Sequence, residues 1–142
     1  MSVKTFRGRL ADGGQDRIRL GTNNGLTGYR ISKFQIMPAD SANNYEITSK
    51  IFTVEPTGAV DSDVNFENPT LLAAAFTGLI SGGYAGANTI IHDSMVFNQD
   101  IYITAQDLSA SQNTNYYLEL EIVKLNLDEA TVATLKDMRG RE

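Results

Sequence analysis

The sequence predicts an all-β, antiparallel sandwich, and three observations lead there. Apolar residues recur mostly at every second position, the period of a strand rather than of a helix. Clusters of Gly, Asn, Asp and Ser break these runs about every ten residues, as turns do between short strands. A length of 142 residues with 42% apolar content favours one domain with a single core. Many short strands with turns between them fit a sandwich of jelly-roll-like form.

Each element has its own pattern. Residues 3–10 and 17–20 read as short strands with arginines at alternate positions (Arg7 and Arg9, Arg17 and Arg19). Asp12-Gly13-Gly14 separates them. Asn24-Gly25 lies before the next strand, and Asn-Gly is a strong hairpin signal because both residues accept positive φ. Residues 29–37 form a strand whose apolar phase slips. Tyr29 and Ile31 share one face, then Phe34 and Ile36 take the other, which is the mark of a β-bulge. After the polar loop 38–44, residues 45–51 place Tyr45, Ile47 and Ile51 inward and Glu46, Thr48 and Lys50 outward.

The middle of the chain is less regular. Residues 69–76 fit either a short helix or a buried strand, since periodicity does not arbitrate at that length. The glycine-rich stretch 81–88 reads as a flexible surface or interface loop, and residues 89–97 contain a strand. Residues 101–105 (Ile-Tyr-Ile-Thr-Ala) are rich in residues that suit a pleated surface. Beyond the loop 108–115, residues 116–122 give the clearest strand. There Tyr116, Leu118, Leu120 and Ile122 face inward and Glu119 and Glu121 outward. Asn126 with Glu129 resembles a capping box, and Val132, Leu135 and Met138 follow at intervals of three. Residues 127–139 are therefore expected as a short helix or arm, with a charged end at 139–142. The whole chain, 1–142, reads as one sandwich domain with 127–142 as its C-terminal helix or arm.

Composition narrows the function. There is no cysteine, so disulfides, thiolate zinc sites and cysteine nucleophiles are excluded. No apolar run reaches the roughly 18 residues of a membrane helix, and the N-terminus lacks the apolar stretch of a signal peptide. Synthesis in a cytoplasm and no membrane partner are the expectations. The net charge of −5 is uneven: residues 1–33 carry seven Lys/Arg and two acids, the rest five Lys/Arg and fifteen acids. Either both sets decorate solvent-facing strands, or a basic edge of one subunit meets an acidic surface of its neighbour. An acidic chain without aromatics interleaved among basic residues does not fit nucleic-acid binding.

Known chemical motifs are missing. His92 is the sole histidine, and Ile90-Ile91-His92-Asp93-Ser94 only looks like a triad, because adjacent strand residues point to opposite faces. Gly-x-Ser-x-Gly is absent, and the glycines of 81–88 lack the Gly-Lys-Ser/Thr ending of a phosphate loop. Asp61, Asp63 and Asn65 have calcium-loop spacing, but Phe66 stands where the turn needs glycine and Leu72 where a bidentate Glu belongs. An EF-hand is thus rejected. A looser cation site at Asp61, Asp63 and Glu67 stands beside an ordinary acidic loop. The tyrosines (Tyr29, Tyr45, Tyr84, Tyr102, Tyr116 and Tyr117) invite a carbohydrate-binding reading, yet core and interface packing accounts for them better. No catalytic, cofactor-binding or metal residue is assigned, and no enzyme activity is expected. A hydrolase would need a carboxylate mechanism.

The opening Lys4-Thr5-Phe6-Arg7-Gly8-Arg9-Leu10-Ala11-Asp12-Gly13-Gly14-Gln15-Asp16 and the stretch Gly21–Tyr29 resemble small virion-associated proteins of marine tailed bacteriophages. So do Phe97-Asn98-Gln99-Asp100-Ile101-Tyr102-Ile103-Thr104 and Asn115-Tyr116-Tyr117-Leu118-Glu119-Leu120-Glu121. The resemblance implies a structural role in the virion and carries over no functional residue. The expectation is a protein that assembles with itself, as a trimer, and decorates or cements a capsid by contact with the major capsid protein or other virion proteins. Residues 1–9 and 127–142 are the candidate interface segments, adding strands to a neighbouring sheet edge. The alternative is a tail or surface module that engages a host glycan or receptor.

Overall fold

The computed structural model describes residues 2–20, 26–80 and 84–125. Eight strands run through them: β1 (Val3–Leu10), β2 (Gly14–Ile18), β3 (Thr27–Pro38), β4 (Tyr45–Phe52), β5 (Leu71–Ile80), β6 (Tyr84–Ile91), β7 (Ile101–Asp107) and β8 (Thr114–Lys124). They form one sheet in the order β1-β8-β3 and another in the order β2-β7-β4-β5-β6, with every pair antiparallel. The chain crosses between sheets after β1, β2, β3 and β7, giving a jelly-roll-like sandwich. β6 stays hydrogen-bonded to β5. Only later does the chain reach the edge of β3, where Tyr29 and Phe97 exchange both backbone bonds (2.7 and 2.9 Å).

The core lies where the two inner faces meet. Ile31 and Phe34 of β3 and Leu118 and Leu120 of β8 pack on Ile51, Ala73, Ala75, Ile101 and Ile103 of the larger sheet. The register explains the phase slip in the sequence. Ile31 opposes Leu120 and Lys33 opposes Glu119, so Ser32 is the extra residue of a bulge. This lets Ile31 and Phe34 share the inner face although they are three positions apart. A second shift puts Phe52 opposite Leu71 and Ile51 opposite Ala73. Gly8 is required by contact, since a Cβ there would sit 2.8–2.9 Å from the Tyr116 ring. Tyr116 then reaches across the sandwich and donates its hydroxyl to Asp16 of β2 at 2.9 Å. Burial, then this bond to Asp16, raises the phenol's pKa well above that of ordinary tyrosine.

Several expectations need correction. The strand at 17–20 runs instead from Gly14 to Ile18. The Asp12-Gly13-Gly14 turn does not make a hairpin, because β1 pairs with β8 whereas β2 pairs with β7, and Asn24-Gly25 lies outside the described residues. Turn chemistry marks a change of direction equally well when the chain passes to the opposite sheet. The ambiguous segment 69–76 becomes the start of β5, whose Leu71–Ala75 run is buried on both faces. The glycine-rich stretch is strand rather than loop from Tyr84 on, residues 81–83 lying outside the described residues; β6 runs to Ile91, so the strand expected within 89–97 is its last three residues. Its small residues leave backbone free to pair. The C-terminal helix or arm at 127–142 lies outside the described residues.

Asp107, at the end of β7, organises the turn into β8. It is 3% exposed and accepts backbone N–H groups from Glu46, Ser109, Ala110 and Gln112 at 2.9–3.4 Å. Burial alone would raise its pKa, but these four donors outweigh that and hold it below the usual carboxylate range. A depressed folded value adds stability that is present above the unfolded pKa of about 3.9 and lost as pH falls through the lower folded value. Asp107→Asn is therefore expected to cost about 1–3 kcal/mol at pH 7. In urea titrations across pH 2–7, the variant should show a shallower acid decline than the parent chain.

Candidate functional site

Three strands cannot cover five, and the mismatch falls on β6. Its inner-face residues follow from the register: Ala85, Ala87, Thr89 and Ile91 oppose Leu79, Thr77, Ala75 and Ala73. Ile91 packs against the core, whereas Ala85, Ala87 and Thr89 are exposed. A hollow of about 730 Å³ opens beside this ledge, lined by Gly8, Ile36 and Tyr116 from one sheet and Thr77, Ala87 and Thr89 from the other. Met37, 64% exposed, also lines it.

The four edge strands are not alike. β1 carries Lys4, Arg7 and Arg9, β2 is five residues long with Asp16 and Arg17, and β3 carries Arg30, Lys33, a bulge and a terminal proline. Charges, bulges, proline and shortness all discourage a foreign strand. β6 has eight residues with no charge, no proline and an unbroken register against β5. Among the described residues its outer edge has no partner strand, and of the four edges it has the fewest obstacles to strand addition.

The outer face of the larger sheet is treated differently. Residues 53–70 fold over it, so Lys50, Tyr102 and Thr104 are buried although their register directs them outward. The Lys50 ammonium donates to Asp61 Oδ1 at 2.8 Å and to the Asp63 carbonyl at 2.6 Å, pinning the loop. The cation that meets the calcium-like Asp61/Asp63 spacing is therefore the chain's own lysine. Glu67 joins neither bond; its N–H donates to Asn65. The hydrogen bond from Lys50, then its charge, holds the Asp61 carboxyl below the usual range. A second hollow of about 640 Å³ separates this loop from the sheet.

The remaining sequence candidates stay apart. His92 meets the Phe66 ring edge-on with centroids 5.5 Å apart, and Asp93 and Ser94 are exposed with no side-chain bond to it. Among the described residues no group of three or more His, Asp and Glu is placed to hold a metal ion. Tyr29, Tyr102 and Tyr116 are buried, and Tyr45 and Tyr117 are half-buried. Residues 3–9 are not a free arm, because they pair along β8 within their own chain. The basic and acidic parts of the sequence meet inside the subunit: Arg17 bonds Asp100 (2.6 Å) and Arg30 bonds Glu121 (2.7 Å). Sequence reasoning missed the β6 ledge and the burial of Lys50. An uncharged Ala/Gly/Thr run was the only signal for the first, and nothing local marked the second. No protein-family model matches the chain, and no curated protein matches it in sequence.

Asp61→Asn is expected to weaken the clamp on residues 53–70 and cost about 1–2 kcal/mol, because water replaces part of the bond at so exposed a carboxylate. The lowered Asp61 pKa means the ion pair acts above the unfolded value and fades as pH falls through the folded one. Limited proteolysis at neutral pH should cut within 53–70 faster in the variant, and in the parent chain cutting should accelerate towards pH 3.

Proposed function

We propose that this chain is a non-enzymatic structural subunit of a bacteriophage virion, which self-associates and decorates or stabilises the capsid. The observation that carries the self-association is the free β6 edge: eight uncharged residues beside an uncovered ledge of Ala85, Ala87 and Thr89. A neighbour's strand would pair with that edge and lay one face of its side chains on the ledge, burying apolar surface in both copies. β6 on the β6 of a second copy gives a twofold pairing, whereas the trimer expected from the sequence would need the β6 edge to meet a different surface of the next copy in a closed ring. The virion assignment is supported by the resemblance of four sequence stretches to phage virion proteins, and the capsid is the partner it implies.

Light scattering across a concentration series tests the reading. A closed oligomer, a trimer for the ring, is expected. Ala87→Lys should raise its dissociation constant at least about tenfold, or about 1.4 kcal/mol. Subunit stability should move by no more than about 0.5 kcal/mol, as for a surface change. The oligomer should also co-sediment with preformed capsid shells. A monomer at every concentration would contradict the proposal.

A further inference from the structure

The hollow beneath residues 53–70 has features that packing alone does not explain. Its floor is the outer face of β4 and β7, where Lys50 and Thr104 stand directly opposite one another. Both are more than nine-tenths buried, at 7% and 2% exposure. Thr104 is among the residues that line this hollow, and its hydroxyl is buried with no hydrogen-bond partner among the described residues. Buried hydroxyls are almost always bonded, so this one marks a place where a polar group is expected. Lys50 is a second buried donor, with two N–H bonds accounted for by Asp61 and Asp63.

The loop supplies the other wall. Asn65 and Asn68 turn their side-chain oxygens back to the loop backbone, at Glu67 N–H and Thr70 N–H, so that their amide N–H groups have no partner among the described residues. Asp63 and Glu55 line the same space as acceptors, and Phe52 offers an apolar ring. We infer that this hollow is a binding site for a small neutral polyhydroxylated ligand, a saccharide of one or two units.

Charge and donor balance favour that class over others. Glu55, Asp61 and Asp63 outnumber Lys50, which disfavours an anion. A hard cation such as calcium needs several oxygen ligands, and the most buried charged group here is an ammonium that repels it. A sugar ring offers hydroxyls that donate and accept together, with an apolar face for an aromatic ring, as the interleaved donors, acceptors and Phe52 require. The inference does not rest on the assembly reading, since the site lies on the outer face of the sheet, away from the β6 ledge.

The test titrates the full chain with glucose, galactose, mannose, N-acetylglucosamine and their β-linked disaccharides, following amide shifts by NMR. At least one sugar should bind at millimolar concentration or tighter, with shifts confined to residues 50–70 and 102–106. Thr104→Val keeps the side-chain shape and removes the hydroxyl. It should weaken that sugar at least fivefold without lowering the melting temperature. Asn65→Asp retains the oxygen that holds the Glu67 N–H and deletes the amide donors, and should weaken it comparably. No binding by any sugar, shifts mapping elsewhere, or binding indifferent to both variants would overturn the proposal. So would a chelator-reversible response of the same residues to calcium chloride alone, which would make the hollow a cation site.

Discussion

A five-stranded sheet has two faces to cover, and among the described residues a three-stranded sheet is the one other layer of regular structure. That inequality governs the rest of the molecule. Most of the inner face is covered by Ile31, Phe34, Leu118 and Leu120, and the remainder, along β6, is left bare. The outer face is covered by residues 53–70, a loop too polar to adhere through apolar contact alone. It is held by one buried ammonium, Lys50, gripping Asp61 and the Asp63 carbonyl. A lysine in that position would be costly without those acceptors, so the loop and the lysine require each other.

The same economy appears in the charges. The sequence separates a basic beginning from an acidic remainder, which invites a picture of complementary faces on neighbouring subunits. Folding brings much of that complementarity inside one chain, through Arg17 with Asp100 and Arg30 with Glu121. On its outer face Lys33 also lies over the Tyr117 ring. The outer face of the smaller sheet is thereby a laced, water-facing surface, poorly suited to drive association. Its counterpart at β6 carries no charge at all, and this contrast is what supports the proposal of assembly at the β6 edge.

Most of the fold was legible because burial on one face imposes period two, and residues 116–122 and 45–51 obey it closely. Even the bulge at Ser32 showed as a phase slip between Ile31 and Phe34. What was illegible is instructive. Leu71 to Ala75 are buried on both sides of β5, so no alternation survives to tell strand from helix. Lys50 alternates outward as a surface residue would, and only a distant loop makes its environment buried. The small residues of β6 carry no periodic signal, because alanine, glycine, asparagine and threonine differ too little in hydrophobicity to mark an inner and an outer face. Neither hollow could be read from sequence, since each is assembled from segments far apart along the chain.

The most direct measurement of the central claim is amide hydrogen exchange of the full chain at low and high protein concentration. If the bare ledge is where copies meet, protection of Ala85–Ile91 amides should rise with concentration while the β8 amides, already central in their sheet, stay unchanged. Protection along β6 that is independent of concentration, or a rise confined to the face bearing Arg30, Lys33 and Tyr117, would contradict the account.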